Sequence, residues 1–404
     1  MKSDEILGII ELGNINIKCL IFKIQNNNNE ILSTFITPSE GIHNDVVTNI
    51  AKASNVIRSC ISNAEKKANI SLKKINVVFE QPDFLCTKFS KHKKVNGSKI
   101  QEDDIAFLLK EAKEQLTHND NTQSIIHIFN YNYIVDGKIF PEKPIGVYAD
   151  TLTHEITFIT APKNNLKNIN QTLIDCDIEI ERLISRTFSL GVQLLSKNEL
   201  KFGSVVVDIG FEKISFGLFK NYALMHSITF PIGINHISKD LSKVCSLNID
   251  ESNSIINNID FSLKDNQKIF DENDFLKETY FKNSNYRKIS KDLVLNIIKA
   301  RLDEMFDKLK KQLIATGFNP TSGIGFFLTG GGSKLFNIEK YFSKFFGDNI
   351  KAINNGNIEM EKNFSSCLGA IKIITEGCET EAIPEQGKKN IEKMGFFEKI
   401  FKIH

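Results

Sequence analysis

The sequence predicts an α/β protein of several domains, and three observations lead to this prediction. Two apolar strands each end in the pattern acid-x-Gly and are followed by a second apolar strand, at residues 9–22 and 206–219. A third apolar strand, at 325–329, leads into a triple glycine and then a helical stretch at 338–346. With 404 residues the chain is too long for one ordinary domain, so two to four compact units are expected.

The composition bounds the class of protein. Hydrophobic residues make up 41% and charged residues 25% of the chain, which is enough to bury real cores. The 51 basic and 49 acidic residues give a net charge of +2, which argues against a dedicated nucleic-acid partner. No signal peptide is expected at the N-terminus, and no apolar run reaches the ~18 residues of a membrane span. Seven scattered cysteines without a C-x-x-C motif predict reduced, mostly buried thiols in a cytosol, with neither disulfides nor zinc.

The two acid-x-Gly repeats are predicted to be hairpins that carry an acidic group and a permissive glycine at the tip. The first has Glu11 and Gly13, and the second has Asp208 and Gly210. In both, an apolar strand resumes four residues after the glycine. If this repeated pattern is considered alone, two unrelated hairpins explain it equally well.

The triple glycine at residues 330–332 favours a ligand site. Backbone without Cβ at a strand-to-helix turn allows close approach of a ligand, and a helix N-terminus offers N–H groups and a positive dipole. The G-x-x-x-x-G-K-[ST] pattern of a Walker A loop is absent. A lone triple glycine is more often a tight turn, but two acid-x-Gly hairpins followed by this turn form a more specific combination.

This order of motifs resembles the actin-like ATPase superfamily and, within it, the FtsA family of bacterial division proteins. The resemblance covers nearly the whole chain and includes six further segments: His127 to Gly137, Pro144 to Gly146, His154 to Thr157, Pro231 to Leu241, Ile298 to Glu304 and Ser366 to Ala370. It implies an α/β, actin-like (ribonuclease H-like) two-lobed fold with an inserted α+β subdomain, plus a C-terminal amphipathic helix.

The resemblance also implies a division into subdomains. Subdomain 1A is expected at 1–81, 161–200 and 350–376, with the inserted subdomain 1C at 82–160. Subdomain 2A is expected at 201–232 and 305–349, and subdomain 2B at 233–304. A polar linker at 377–387 and a membrane-targeting helix at 388–404 complete the chain.

Local patterns support this organisation. A helix is predicted over 98–117, opened by a capping box of Ser98 and Gln101, and a second helix over 287–317 that ends at Gly317. A half-buried strand is predicted at 129–135, because aromatic residues alternate there with asparagines, and Asp136-Gly137 turns it into a hairpin. The apolar residues assigned to the face of the second helix are Leu293, Leu295, Ile298, Leu302, Met305, Phe306 and Leu309.

The resemblance implies ATP and Mg²⁺ as cofactors, gripped by the two hairpins on the phosphate side and by the glycine turn on the adenosine side. The residues expected to bind the nucleotide are Glu11, Gly13, Asn14, Asn16, Asp208, Gly210, Arg301, Glu304, Gly330, Gly331 and Gly332. Asp208 is the expected metal ligand, since Mg²⁺ suits carboxylate oxygens. For Arg301 and Glu304, an ordinary exposed charge pair three residues apart is the alternative.

Several residues depart from the family pattern around the phosphates. Glu11 stands where the family usually has Asp, and Asn16 stands where a phosphate-contacting Lys is usual. The triplet at 211–213, Phe-Glu-Lys, replaces small residues, and Ile234 replaces a glycine. We therefore expect at most weak ATPase activity and assign no catalytic residue. A scaffold that works without nucleotide is the alternative.

The segment 388–404 has the pattern of an amphipathic helix. Its apolar half comprises Ile391, Met394, Phe396, Phe397, Ile400, Phe401 and Ile403, and its five Lys and two Glu give +3. Burying a Phe contributes ~1.5–3 kcal/mol, and each Lys near an anionic leaflet adds ~1 kcal/mol. We expect the residues Ile391, Met394, Phe396, Phe397, Ile400 and Phe401 to bind an anionic membrane reversibly. A helix docked on the protein's own core or on a partner is the alternative.

Partners follow from the resemblance. The C-terminal peptide of FtsZ generally carries acidic residues, and Arg287, Lys288 and Lys291 form a basic cluster in the subdomain that the family uses to bind it. A solvated face is the alternative for this cluster. The resemblance further implies head-to-tail filaments of the chain itself and contacts with other divisome proteins.

The expected function is that of a cell division adaptor, which anchors FtsZ filaments to the cytoplasmic face of the cell membrane at the division site. Two other functions remain as alternatives. One is a PilM-like pilus-assembly scaffold, which the amphipathic tail disfavours. The other is an actin-fold small-molecule kinase, which would need a dedicated base and intact phosphate loops.

Overall fold

The computed structural model describes residues 5–25, 28–140, 142–263, 266–318, 324–352 and 359–376. These residues fall into two compact units with separate cores. Unit 1 takes its residues from 1–203, 217–229 and 358–404, and unit 2 from 204–216 and 230–357. The predicted C-terminal helix at 388–404 and the linker at 377–387 lie outside the described residues.

A five-stranded sheet forms the main layer of unit 1, with the strand order β11 (Glu179–Ser185), β6 (Lys74–Phe79), β1 (Glu5–Leu12), β2 (Asn16–Gln25) and β3 (Asn28–Pro38). β1, β2 and β3 run antiparallel, whereas β6 and β11 add in parallel. Its middle strands are near-continuous apolar runs; Ile9, Ile10 and Ile17, for example, have no exposed surface. The elements before the insertion are β1 (Glu5–Leu12), β2 (Asn16–Gln25), β3 (Asn28–Pro38), β4 (Ile42–His43), β5 (Val46–Val47), α1 (Ile50–Ala68) and β6 (Lys74–Phe79).

An α+β subdomain is inserted after β6. It consists of β7 (Leu85–Lys99), α2 (Glu102–Asn119), β8 (Gln123–Val135), β9 (Lys138–Phe140) and β10 (Tyr148–Pro162). The four strands form an antiparallel sheet of order β7-β10-β8-β9, and α2 packs on one face of it. The first and last strands of the insertion pair with each other from Leu85 opposite Thr160 onward. The insertion therefore leaves and rejoins unit 1 at one place.

Unit 1 continues with α3 (Lys163–Ile174), β11 (Glu179–Ser185), α4 (Arg186–Leu194) and α5 (Lys197–Phe202). In unit 2, β12 (Ser204–Ile209) lies parallel to a later strand, β15 (Gly325–Thr329), and β15 lies parallel to β16 (Ile350–Ala352). β13 (Ile214–Lys220) belongs to unit 2 up to Phe216 and to unit 1 from Gly217 onward, and β14 (Ala223–Phe230) belongs to unit 1 except for its last residue. The remaining elements of unit 2 are α6 (Ile234–Val244), α7 (Ile249–Asn258), α8 (Lys291–Ala315), β15 (Gly325–Thr329), α9 (Ile338–Phe346) and β16 (Ile350–Ala352), and the chain returns to unit 1 with α10 (Glu359–Glu376).

Several local predictions are confirmed, and three need correction. The Asp136-Gly137 turn has positive φ at both residues, and α8 is followed by Gly317 with φ +80°. Helix α2 begins later than predicted, because Ser98 lies in β7 and so does not open the helix. The hydrogen bond at the helix start runs from the Gln101 N–H to the Asp104 side chain. On α8, Leu293, which the sequence pattern assigns to the apolar face, is 42% exposed, and the neighbouring Val294 is buried in its place.

The third correction concerns β8, in which Asn132 is buried although the alternating pattern predicts it outside. A register shift in the β8–β10 pairing, between Glu155 and Ile156, interrupts the alternation. The buried amide is satisfied there: its Nδ2 donates to Glu155, and its Oδ1 accepts from Asn221. This position could not be read from a period of two.

The structure also bears on the predicted state of the cysteines and on the predicted lack of a membrane span. Of the six cysteines in the described ranges, five are buried and Cys86 is partly exposed; Cys378 lies outside them. Among the described residues no helix has both the length and the hydropathy needed to cross a membrane.

Candidate functional site

The residues expected to bind nucleotide occur in both units. In unit 1 the first hairpin has the predicted form, with β1 and β2 paired so that Glu11 lies opposite Lys18. Because directly opposed residues point to the same face of a sheet, the two side chains meet. The Lys18 Nζ lies 3.1 Å and 3.2 Å from the two carboxylate oxygens of Glu11.

Both oxygens of the Glu11 carboxylate are bound by side chains of unit 1. Its Oε1 is also 3.4 Å from Nη1 of Arg186, the first residue of α4, and its Oε2 accepts a short hydrogen bond from Ser366 of α10. Glu11 is 1% exposed. Burial by itself would raise the pKa of Glu11, but the charges of Lys18 and Arg186 and the Ser366 hydrogen bond outweigh it and lower this pKa to about 2.

The tip of the first hairpin is held by its own backbone and one amide. A Cβ at Gly13 would lie 2.7 Å from the Asn16 carbonyl oxygen, so a side chain there is excluded. The Asn14 Oδ1 accepts a hydrogen bond of 3.0 Å from the Asn44 N–H, which fixes the tip against a neighbouring loop. Asn16 begins β2, and its side chain is partly exposed.

In unit 2, Asp208 and the triple glycine lie together. β12 and β15 are adjacent parallel strands, and their register places Asp208 beside Thr329, the residue before Gly330. A Cβ at Gly330 would lie 2.2 Å from Oδ1 of Asp208, and φ at this residue is +86°, so only glycine fits. Asp208 itself is 4% exposed. The carboxyl ends of parallel strands are where α/β sheets commonly bind ligands.

The other two glycines of the turn have opposite surroundings. A Cβ at Gly332 would lie 2.4 Å from Ile209 Cγ2 and 2.8 Å from Ile234 Cγ1, whereas a Cβ at Gly331 would meet no atom within 4 Å. The turn is therefore packed at both ends and open at Gly331. The helix predicted after the turn is α9, although a short 3₁₀ turn at Gly332–Lys334 precedes it.

The substituted triplet at 211–213 is built into the second hairpin. The Gly210 N–H donates to the Lys213 carbonyl oxygen at 2.8 Å, which closes the turn. Glu212 accepts a hydrogen bond of 2.6 Å from Asn235 and is 3.3 Å from the Lys239 ammonium. This carboxylate, which the sequence places beside a phosphate site, is thus neutralised by α6.

Arg301 and Glu304 lie on α8 and belong to a longer charge network. The Arg301 guanidinium donates to both carboxylate oxygens of Asp240, at 2.6 Å and 2.9 Å, and also to Glu304. The hydrogen bonds from this guanidinium to Asp240 hold the pKa of Arg301 above its usual range, and the hydrogen bond from Lys308 holds the pKa of Glu304 below its usual range. The network is wider than the predicted i,i+3 pair.

Only part of the expected nucleotide site fits ATP and Mg²⁺. The glycine turn of unit 2 is a backbone cradle that a Cβ would fill, and Asp208 beside it is a ligand type that Mg²⁺ accepts. Glu11 does not fit, since both of its oxygens are taken by cations and a hydroxyl of unit 1. Within the described ranges, no group of three or more His, Cys, Asp or Glu side chains could hold a metal ion.

The basic cluster at 287–291 is largely engaged by the protein itself. Arg287 donates to the carbonyl oxygens of Cys245 and Ser246, just after α6, and Lys291 pairs with Asp274 at 3.0 Å. Lys288 is exposed and lies over the ring of Phe275. The membrane-binding residues predicted at 391–401 lie outside the described residues.

The three residues that surround the Glu11 carboxylate, Lys18, Arg186 and Ser366, were not identified from the sequence. Lys18 carried a signal, because it is the cross-strand partner of Glu11 in the predicted hairpin. Arg186 carried none, since it is distant along the chain and has no motif. Ser366 was noted only as part of a matching helix, with no role assigned to it.

The strand order, the glycine turn and the insertion define the class of protein as one with an actin-like ATPase fold. Two solved structures share that fold: the PilM–PilN type IV pilus biogenesis complex, with TM-score 0.63, 13% identity and coverage of 90% of this chain and 96% of that one, and MreB5 of Spiroplasma citri bound to AMPPNP, with TM-score 0.50, 12% identity and coverage of 91% and 96%. The predicted actin-like fold is confirmed.

Two family models match the chain. "Cell division protein FtsA" matches residues 205–369, and "SHS2 domain inserted in FTSA" matches residues 85–160. Among its relatives, cell division protein FtsA of Agrobacterium fabrum is 20% identical over 369 residues, covering 87% of this chain and 81% of the relative. FtsA of Bacillus subtilis is 24% identical over 336 residues, covering 82% and 74%. The chain belongs to the FtsA family of cell division proteins, as its motifs predicted.

Proposed function

We propose that this chain is a cell division adaptor that anchors FtsZ filaments to the cytoplasmic face of the cell membrane at the division site. Membership of the FtsA family is the observation that carries the proposal. The amphipathic pattern at 388–404, with its net charge of +3, supports the membrane part. Self-association into head-to-tail filaments and contacts with other divisome proteins belong to the same proposal.

We further propose that ATP is a ligand held chiefly by unit 2, and that its hydrolysis is very slow. The open backbone at Gly331 and the neighbouring carboxylate of Asp208 support the binding. The engagement of Glu11 by Lys18, Arg186 and Ser366 supports the slow hydrolysis, because it leaves the first hairpin without an available acid. When bound, Mg²⁺ would neutralise phosphate charge beside Asp208.

The two alternatives have less support. Likeness to the PilM–PilN complex concerns the fold, at 13% identity, and the tail pattern argues against a pilus scaffold. A small-molecule kinase would need an acid free to act as a base beside the phosphate, and Glu11 is committed to two cations.

The experiment that tests the adaptor function uses the tail. The double variant Phe397→Glu, Phe401→Glu should abolish cosedimentation of the full chain with anionic liposomes, because it removes two apolar anchors and adds two negative charges. The melting temperature should be unchanged, because a tail that binds the membrane does not stabilise the two units. A matched control, Lys110→Gln with Lys311→Gln, lowers the net charge by the same amount on exposed sites of the body and should still bind. Unaltered liposome binding by the tail variant, or a large fall in its melting temperature, would contradict the proposal.

A further inference from the structure

The outer strand of the inserted subdomain has an unusual combination of geometry and charge. β7 has one strand neighbour among the described residues, β10, so it is the edge of the sheet. Its pairing with β10 runs without a shift from Leu85 opposite Thr160 to Lys94 opposite Thr151. Alternate N–H and C=O groups along this stretch therefore point away from β10, and no described strand is paired with them, although the Cys86 Sγ at the start of the stretch lies 3.9 Å from the Met225 carbonyl oxygen of β14.

Two of the devices that blunt an edge strand, proline and β-bulges, are missing over this stretch. No proline occurs between residues 85 and 94, and the first irregularity comes after Val95, where Asn96 and Gly97 have positive φ. An uninterrupted edge of ten residues is long enough to template another strand.

The charge of β7 is of one sign. Residues 85–99 contain five lysines, one histidine and no acidic residue. Lys93 pairs with Asp104 at 2.7 Å, whereas Lys88, Lys91 and Lys94 form no salt bridge with any described residue. The carboxylate opposite the strand, Glu155, faces Ser90 and accepts a hydrogen bond from Asn132. Lysines on an edge discourage pairing with a neutral or basic strand, and three uncompensated lysines leave a net attraction for an acidic segment.

The alternation of the strand determines which acidic segment would fit. Lys88, His92 and Lys94 are exposed on one face, with Ser90 between them, while Phe89 and Val95 turn to the face covered by α2. Lys91 lies on that second face too, so the lysines share the edge and not a single face. A flat membrane would meet one face, whereas an added strand meets both.

We propose that β7 is a docking edge for an extended acidic segment of a partner protein, which adds as a fifth strand to the inserted sheet. Backbone hydrogen bonds to the outward N–H and C=O groups supply the affinity. Acidic residues at alternate positions of the segment supply the specificity, because successive side chains of a strand point to opposite faces and every second one lies beside Lys88, His92 and Lys94. No residue of this edge belongs to the proposed nucleotide site or to the tail.

Fluorescence polarisation with the full chain tests this edge. The probe is a fluorescein-labelled twelve-residue peptide of alternating Glu and Thr, compared with the same peptide N-methylated at every backbone nitrogen, which keeps the charges and removes the backbone donors. The unmethylated probe should bind, and the methylated one should bind at least tenfold more weakly. No binding at millimolar protein, or equal binding of both probes, would overturn the proposal.

Two charge variants complete the test. Lys88→Glu with Lys94→Glu should weaken probe binding at least tenfold, and Lys88→Gln with Lys94→Gln should weaken it by less, while Lys110→Glu with Lys311→Glu should stay within twofold of the unmodified chain. All three should keep their melting temperature, since the changed side chains are exposed. If Lys88→Glu with Lys94→Glu leaves the probe affinity unchanged, or instead removes binding to anionic liposomes, the lysines do not bind a peptide and the proposal fails.

Discussion

At the scale of single residues, the fate of Glu11 is decided by its neighbours more than by its place in a motif. The extra methylene relative to Asp carries its carboxylate into a cluster with two cations and a hydroxyl, all from unit 1. Removing one partner of a buried ion pair leaves an uncompensated charge, which typically costs about 3–5 kcal/mol. Glu11 is therefore a residue on which the stability of unit 1 depends.

Glu11→Gln should therefore change the stability of the chain in a pH-dependent way. The pKa of Glu11 is lowered from 4.5 to about 2 in the folded chain, so the carboxylate contributes stability that is fully present above about pH 4.5 and is lost as the pH falls toward 2. At pH 7 the variant should lose about 3 kcal/mol of unfolding free energy, measured with urea. At pH 3 the loss should be smaller.

A matched control is Glu40→Gln, whose carboxylate is exposed, and it should change the unfolding free energy by less than about 0.5 kcal/mol. Equal losses for Glu11→Gln at pH 7 and pH 3 would show that the cluster acts through packing and not through charge.

A second prediction at this scale uses the open glycine. Gly331→Val should abolish ATP binding measured by calorimetry, because a β-branched side chain would fill the space that the ligand needs, while the melting temperature should fall little, because the added Cβ meets no atom within 4 Å. Asp208→Ala should reduce the Mg²⁺-dependent part of the affinity. Multi-turnover hydrolysis by the unmodified chain should stay well below ~10 s⁻¹. A rate at or above that value would contradict the slow-hydrolysis proposal, and an unmodified chain that binds no ATP would contradict the binding proposal.

At the scale of elements, the sequence predicted helices and strands well where burial follows one regular period. α9 has the predicted bounds, and the Asp136-Gly137 hairpin forms as expected. The misses occur where tertiary contacts break the period. Leu293 is exposed in the first turn of α8, and Asn132 is buried because a register shift and two amide hydrogen bonds place it inside. Neither the exposure of Leu293 nor the burial of Asn132 can be predicted from a local pattern.

The element-level prediction concerns the basic cluster before α8. Arg287 caps the carbonyl groups that follow α6, so Arg287→Glu should lower the melting temperature through the loss of these hydrogen bonds. Lys288 is exposed, lies over the Phe275 ring and forms no hydrogen bond or ion pair with a described residue. If the cluster binds the acidic FtsZ peptide, Lys288→Glu should weaken that binding several-fold and reduce its salt dependence without changing the melting temperature.

The control for this experiment is Lys311→Glu, an exposed charge reversal elsewhere on α8, which should leave the affinity for the peptide as it is. An FtsZ-peptide affinity that is the same for Lys288→Glu and the unmodified chain would exclude Lys288 from the contact.

At the scale of the whole molecule, the limits of sequence analysis follow from the path of the chain. Unit 1 is assembled from three separate stretches and unit 2 from two, and Ser366 reaches Glu11 across 355 residues. Local propensity carries no information about such pairs. The discontinuous layout could be predicted only through the resemblance to a family, whereas Lys18 could have been found locally, as the register partner of Glu11.

The place where the inserted subdomain joins unit 1 has a consequence for how such proteins diverge. Its first and last strands are paired at the junction, Leu85 beside Thr160, so the host chain meets the same two anchor points whatever lies between them. Everything from there to the far end of the sheet can be lengthened, reshaped or replaced without rerouting the rest of the backbone. Selection can therefore change the partners of this subdomain while the folding of its host stays the same.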